Sequence, residues 1–126
     1  MTGPKQSVVD LVLERDRWSC VRCGVAITGA RGVSWSIHHR RPRGMGGSRE
    51  PWVNLPANLL TICGDATSPL GCHSWIESHR VFARASGWLV PLNGVALPSS
   101  VPVHHSIHGV VILDDLGGTT SQETPW

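Results

Sequence analysis

The chain has 126 residues, a formal net charge of +2, 14 Gly, 9 Pro, six Trp, one Phe and no Tyr. That length allows one domain with a modest core, for which a metal would be a useful staple. The longest apolar runs fall far short of the roughly 20 residues that cross a bilayer, which excludes a membrane-spanning helix.

Taken in order, the sequence predicts a helix over residues 8–15, with Ser7 as N-cap and Val8, Leu11 and Val12 on one face. Charges scattered through the first 16 residues argue against a signal peptide, so a soluble protein of the cytoplasm is expected. Residues 18–25 contain Cys20-Val21-Arg22-Cys23-Gly24, a tight CxxCG knuckle. Residues 33–39 alternate Val33, Trp35 and Ile37 with Ser34, Ser36 and His38, the period of a strand. A long Gly-, Pro- and Arg-rich loop occupies 40–54. A second short strand is expected over 59–63, a turn with Gly64, Pro69 and Gly71 over 63–72, and a helix over 73–85 that ends at Gly87. Beyond it, 88–91 and 109–113 read as strands separated by a Pro-rich link, and 119–126 as a disordered end. The reading is therefore small α+β, with residues 1–91 as the functional domain and 92–126 as a short β-rich tail.

Charge is unevenly spread. Seven arginines and no Asp or Glu lie between positions 17 and 49, whereas positions 99–126 contain Asp114, Asp115 and Glu123 and no Lys or Arg. Arginine outnumbers lysine ten to one. Guanidinium groups bind phosphates in a planar, bidentate way, so the bias points to a nucleic-acid partner. The four cysteines, Cys20-x2-Cys23 and Cys63-x8-Cys72, suit tetrahedral Zn²⁺, and in a reducing compartment metal is favoured over disulfides.

The run His38-His39-Arg40-Arg41-Pro42-Arg43-Gly44, then Asn58-Leu59-Leu60-Thr61-Ile62-Cys63, then Cys72-His73 carries a resemblance. In this order the pieces resemble the HNH endonucleases, and the stretch from His38 to Gly47 is similar to the phage and actinobacterial branch of that family. The resemblance covers about residues 18–91. It implies a ββα-metal (His-Me finger) fold built on a structural zinc site and hydrolysis of DNA phosphodiesters to 5′-phosphate and 3′-hydroxyl ends. His38 would be a metal ligand, His39 the general base, His73 the second ligand, and Asn58 the residue that ties the loop and so orients His39. Asn54, followed by Leu55, is a rival for that last place.

Other readings come from the residues themselves. Successive strand residues face opposite sides, so His38 and His39 divide between metal and water. An imidazole titrates near neutral pH, as a base for water activation should. Glu77, one turn after His73, either completes a His–His–Glu set or pairs with Arg80 or Arg84. His/Glu ligands suit Mn²⁺, Ni²⁺, Co²⁺ or Zn²⁺ better than an all-oxygen Mg²⁺ site, without choosing among them. Arg40, Arg41, Arg43, Arg80 and Arg84 are the expected phosphate contacts, which read no sequence and imply weakly specific cutting or nicking. His79, His104, His105 and His108 are assigned to the surface. The alternative function is a zinc-stabilised DNA-binding module without catalysis, or a subunit active only beside a partner such as phage terminase or packaging proteins. Monomer and dimer are equally compatible with the sequence.

Overall fold

The computed structural model describes residues 3–42, 51–65, 70–91 and 96–122. Helix α1 spans Gln6–Arg15 and buries Val9, Val12 and Leu13 at the three- and four-residue spacing of one helical face. It starts two residues before the expected position. Lys5 stands at its N-cap without a side-chain bond, so Ser7 lies inside the first turn rather than capping it. The chain leaves α1 through two left-handed residues, Arg17 (φ 57°) and Trp18 (φ 51°), a conformation costing roughly 1–2 kcal/mol per non-glycine residue. The Trp18 N–H bond to the Leu13 carbonyl (3.0 Å) and the Ser19 hydroxyl bond to the Arg17 carbonyl (3.0 Å) hold this turn, which leads directly into the cysteine knuckle.

Strands β1 (Trp35–His39) and β2 (Leu59–Cys63) pair antiparallel, with His38 opposite Leu60 and His39 opposite Leu59. β1 begins at Trp35 rather than at residue 33, because Val33 belongs to the preceding turn and is 68% exposed. Strand alternation divides the core. Trp35, Ile37 and Leu59 pack with the apolar face of α1. Leu60 and Ile62 pack on the other side against Ile76, Ala83, Trp88 and Leu89. Burying each such side chain contributes about 1.5–3 kcal/mol.

The helix expected over 73–85 is two helices, α2 (Cys72–Ser78) and α3 (Arg80–Ala85), broken at His79 (φ −127°, ψ 55°). Local polar groups compete with the helix there. The Ser78 hydroxyl donates to the Ser74 and Trp75 carbonyls, and the His79 ring stacks on Trp75 at 4.1 Å with its Nδ1 on the Trp75 carbonyl (2.9 Å). Gly87 (φ 79°) ends α3, and a Cβ at this position would stand 1.9 Å from the Pro102 oxygen, so no other residue fits.

Residues 88–91 do not form the expected strand. Trp88, Leu89 and Val90 are buried there, and the Val90 N–H bonds to the Arg40 carbonyl at 2.8 Å while other groups of the segment serve side chains. A second sheet follows, ordered β3 (Val103–His105), β4 (Gly109–Leu113), β5 (Thr119–Ser121) and antiparallel throughout. β5 corrects the expectation of disorder from residue 119, since Leu113 pairs with Thr119; residues 123–126 lie outside the described residues. Val103, Val111 and Leu113 share one apolar cluster with Cys20, Leu60 and Ile76. The boundary drawn at residue 91 therefore crosses a common core. No helix among the described residues is long and apolar enough to cross a membrane.

Candidate metal centres

Two groups of side chains converge as metal-ligand sets. In the first, Cys20, Cys23, Cys63 and Cys72 bring their sulfurs within 4.8 Å of one another. The knuckle supplies Cys20 and Cys23. The end of β2 supplies Cys63, and the start of α2 supplies Cys72. The loop between the last two closes because Gly64 and Gly71 touch: a Cβ on Gly64 would lie 2.7 Å from the Gly71 Cα. Cys23 and Cys63 have their sulfurs 3.8 Å apart. Two thiolates at about 2.3 Å from a tetrahedral ion would be separated by about that distance. The thiols also perturb one another. The hydrogen bond with Cys72 is the largest cause holding Cys20 down at about 5 against its burial, and the same bond with burial raises Cys72. This cluster can hold a metal ion such as zinc.

In the second set, His38, His73 and Glu77 bring one donor atom each within 4.8 Å. His38 is on the α2-facing side of β1 and is buried; His73 and Glu77 are one turn apart on α2. The hydrogen bonds to the two rings determine which nitrogen of each keeps a lone pair. His38 Nε2 lies 2.7 Å from the Trp88 carbonyl, which can only accept, so Nε2 carries the hydrogen and Nδ1 the lone pair. Ser36 gives its one hydroxyl hydrogen to the Gly64 carbonyl (2.9 Å) and so accepts from His73 Nδ1 (2.8 Å), leaving the lone pair on Nε2. Orientation of metal-binding imidazoles by groups behind them is the usual arrangement. Burial holds the His38 ring at about 3, helped by the charges of His73, His39 and Arg40 and opposed by the Trp88 carbonyl. Burial also lowers His73, against the pull of Glu77 and Asp65. Burial thus disfavours the charged form of both rings, and the neutral form is the one that binds metal.

Both readings of Glu77 hold at once. Its carboxylate is near the two histidines, and its Oε2 accepts from Arg80 at 2.7 Å. Neither side chain of that pair is more than about half exposed, at 45% and 44%, so the carboxylate remains open to solvent on one side.

His39 points to the other face of β1. Its Nε2 is 2.9 Å from Asn54 Oδ1, which places the hydrogen on Nε2 and the lone pair on Nδ1. Asn58 is fully buried and ties the backbone: its Oδ1 accepts the Arg41 N–H (2.8 Å), and its amide donates to the carbonyls of Val53 (3.0 Å) and Arg41 (3.3 Å). The two asparagines divide the expected task. Asn58 ties the loop after β1, and Asn54 touches the imidazole itself. Ser36 was not among the expected residues, yet it lies two positions before His38, where strand period places it on the same face.

The arginines require a correction. Arg40 is 0% exposed and spends its guanidinium on the carbonyls of Gly87, Ala57, Pro98 and Val101 at 2.7–2.8 Å. Burial lowers it to about 9. Arg41 is also buried, donates to the Ala96 carbonyl, and lies over the Trp52 ring. Neither is a surface phosphate contact. Arg40 instead ties Gly87, Pro98 and Val101 to the end of β1. Arg43 lies outside the described residues. Arg80 and Arg84 are exposed on α3.

His105 is a second correction. It is buried and donates from Nε2 to Asp16 Oδ1 at 2.8 Å, because β3 alternates and only His104 faces outward. His108 bonds the Arg15 carbonyl at 2.7 Å. His79 is exposed, as expected. Comparison with known proteins gives no match: no family model fits the chain, and no curated protein or solved structure is similar to it.

Proposed function

We propose that the chain is a metal-dependent DNA endonuclease of the HNH type, with a ββα-metal site held by a structural zinc at the four cysteines. The observation that supports this most is the convergence of His38, His73 and Glu77, with the lone pairs of both rings set by groups behind them. A binding module would have no use for neutral imidazoles aimed at a shared gap. A carboxylate with two imidazoles fits a divalent transition ion. Bound there, such an ion would supply charge neutralisation for the phosphate and the leaving oxygen.

The protein's own residues do the rest. His39 takes the proton of the attacking water, and Asn54 fixes the orientation of its ring through Nε2. Asn58 keeps the backbone at Arg41 in place, and with it the end of β1. Glu77 is divided between the gap and Arg80, which limits how far its carboxylate can swing. Arg80 and Arg84 offer exposed positive charge for the DNA backbone.

The test is relaxation of supercoiled plasmid in EDTA and then with Mg²⁺, Mn²⁺, Co²⁺, Ni²⁺ or Zn²⁺ added singly. Wild type should nick only with metal. His39→Ala should lower the rate by about 10²–10⁴-fold while leaving DNA binding intact. Equal cutting by both proteins would remove the mechanism. No cutting by a folded, zinc-loaded wild type would favour the non-catalytic DNA-binding module.

A further inference from the structure

Arg22 sits between the two cysteines of the knuckle, but its side chain leaves that loop. Its Nη1 donates to Cys72 Sγ at 3.3 Å, and its Cζ lies over the Trp75 ring, 3.5 Å from the centroid, and 5.7 Å from that of Trp88. Trp75 is on α2 between His73 and Glu77. One side chain therefore touches a cysteine of the first metal set and the helix that carries two members of the second.

The contact is selective. Among the described residues the buried Arg22 Nε has no hydrogen-bond partner, so the group forgoes that bond while it keeps its place over the indole and one N–H on sulfur. Four thiolates around a dication retain an excess of negative charge. A cation donating to one sulfur withdraws part of it and strengthens the site against loss of the ion. Stacking on Trp75 gives the same guanidinium a fixed orientation, which lysine cannot reproduce.

We propose that Arg22 is a positioning residue that stabilises the four-cysteine metal site through Cys72 and ties it to α2 through Trp75, so that filling the first site sets the geometry of the second. This rests on the four cysteines binding metal, and its second half on the His38–His73–Glu77 set doing so as well. The role differs from packing, since it depends on a charged donor at sulfur rather than on volume.

The test uses the full chain loaded with Co²⁺, whose thiolate-to-metal absorption reports the sulfurs directly. Arg22→Met keeps the length and the apolar stem but removes the donor. It should shift that absorption band, raise the rate of metal loss to a chelator on the order of 10-fold, and weaken binding of a second ion, Mn²⁺, at the His–His–Glu set. Arg22→Lys, which keeps a cationic donor, should restore much of the band position and less of the Mn²⁺ affinity. An Arg22→Met protein with wild-type absorption and wild-type metal release would overturn the proposal while leaving the metal site standing. If Arg22→Met does not fold, Arg22→Leu with wild-type absorption and metal release overturns the role at Cys72, and a lysine variant with wild-type Mn²⁺ affinity overturns the tie to α2 through Trp75. A wild type showing no thiolate–cobalt absorption would bring down the four-cysteine reading and this proposal together.

Discussion

Two histidine clusters in this protein join imidazoles to a carboxylate, and they are built oppositely. Around Asp16 every partner is internal. Its Oδ1 accepts from Arg15 Nε and His105 Nε2, both at 2.8 Å, and its Oδ2 from Arg15 Nη2 and the Thr61 N–H, both at 3.0 Å. His105 Nδ1 in turn accepts the Ile107 N–H at 3.1 Å. The arrangement is closed: α1, β2 and the β3–β4 turn are riveted together with no lone pair directed outward. Around His38 the rings are also held by hydrogen bonds, but one possible ligand atom each of His38, His73 and Glu77 lies within 4.8 Å of the others, and the Glu77 carboxylate, bonded to Arg80, is 45% exposed. Histidine count and carboxylate proximity do not separate a rivet from a site. What separates them is whether the carboxylate is enclosed by protein donors or reaches solvent.

The largest effect that would break this contrast is at the closed cluster. Asp16→Asn leaves the buried Arg15 guanidinium without its counter-charge and should lower stability by about 3–5 kcal/mol, measured by denaturant unfolding, without abolishing Co²⁺ absorption at the cysteines in the folded fraction. The pH dependence follows from the same group. Burial alone raises the Asp16 carboxyl, but the His105 hydrogen bond and the charge and bonds of Arg15 outweigh it, so the group is held below its ordinary value. Its contribution is then fully present above the unfolded carboxylate pKa of about 3.9 and is lost as pH falls from there through the lower folded value. Wild type should lose stability steeply over that acid window, and Asp16→Asn should flatten the curve. A variant as stable as wild type would mean the cluster is not a rivet.

Next in size is the open cluster. Ser36→Ala removes the acceptor behind His73 Nδ1 while sparing all three proposed ligands. It should weaken binding of Mn²⁺ at the second set by about 10–100-fold, read by calorimetry, with a stability change under about 1.5 kcal/mol. Unchanged metal affinity would show that the ring does not need Ser36 to be aimed.

The smallest effect is expected at the exposed Glu77–Arg80 pair. Arg80→Ala should change stability by less than about 1 kcal/mol, as surface ion pairs do. On the proposed nuclease reading it should nonetheless flatten the salt dependence of DNA binding, because one proposed phosphate contact would be removed. A stability loss well above this would make the pair part of the scaffold rather than of the open site.

Much of this was legible in the residues because it depends on local spacing. A CxxC turn, alternation in β1, the run 59–63 and the four-residue interval from His73 to Glu77 are properties of short segments, and backbone geometry carries each of them into space almost unaided. Chemical type was equally legible: four thiols in a Cys-poor chain and adjacent histidines at a strand end announce what they can bind.

Tertiary packing decided the rest, because burial is set by what arrives from far away in sequence. Arg40 and Arg41 read as a basic surface, yet the carbonyls of Gly87, Pro98 and Val101 take up Arg40 and that of Ala96 takes up Arg41, and both side chains are buried. His105 reads as a surface histidine until Asp16, 89 positions earlier, is placed against it. The helix expected over 73–85 breaks at His79 because Ser78 and Trp75 offer competing local contacts, something a 3.6-residue pattern cannot register. The orientation of His38 depends on a carbonyl 50 positions away, at Trp88. Composition and spacing determined which chemical groups the chain carries; only the folded chain decided which are enclosed in the core and which lie together near the surface, since burial depends on neighbours that sequence distance does not reveal.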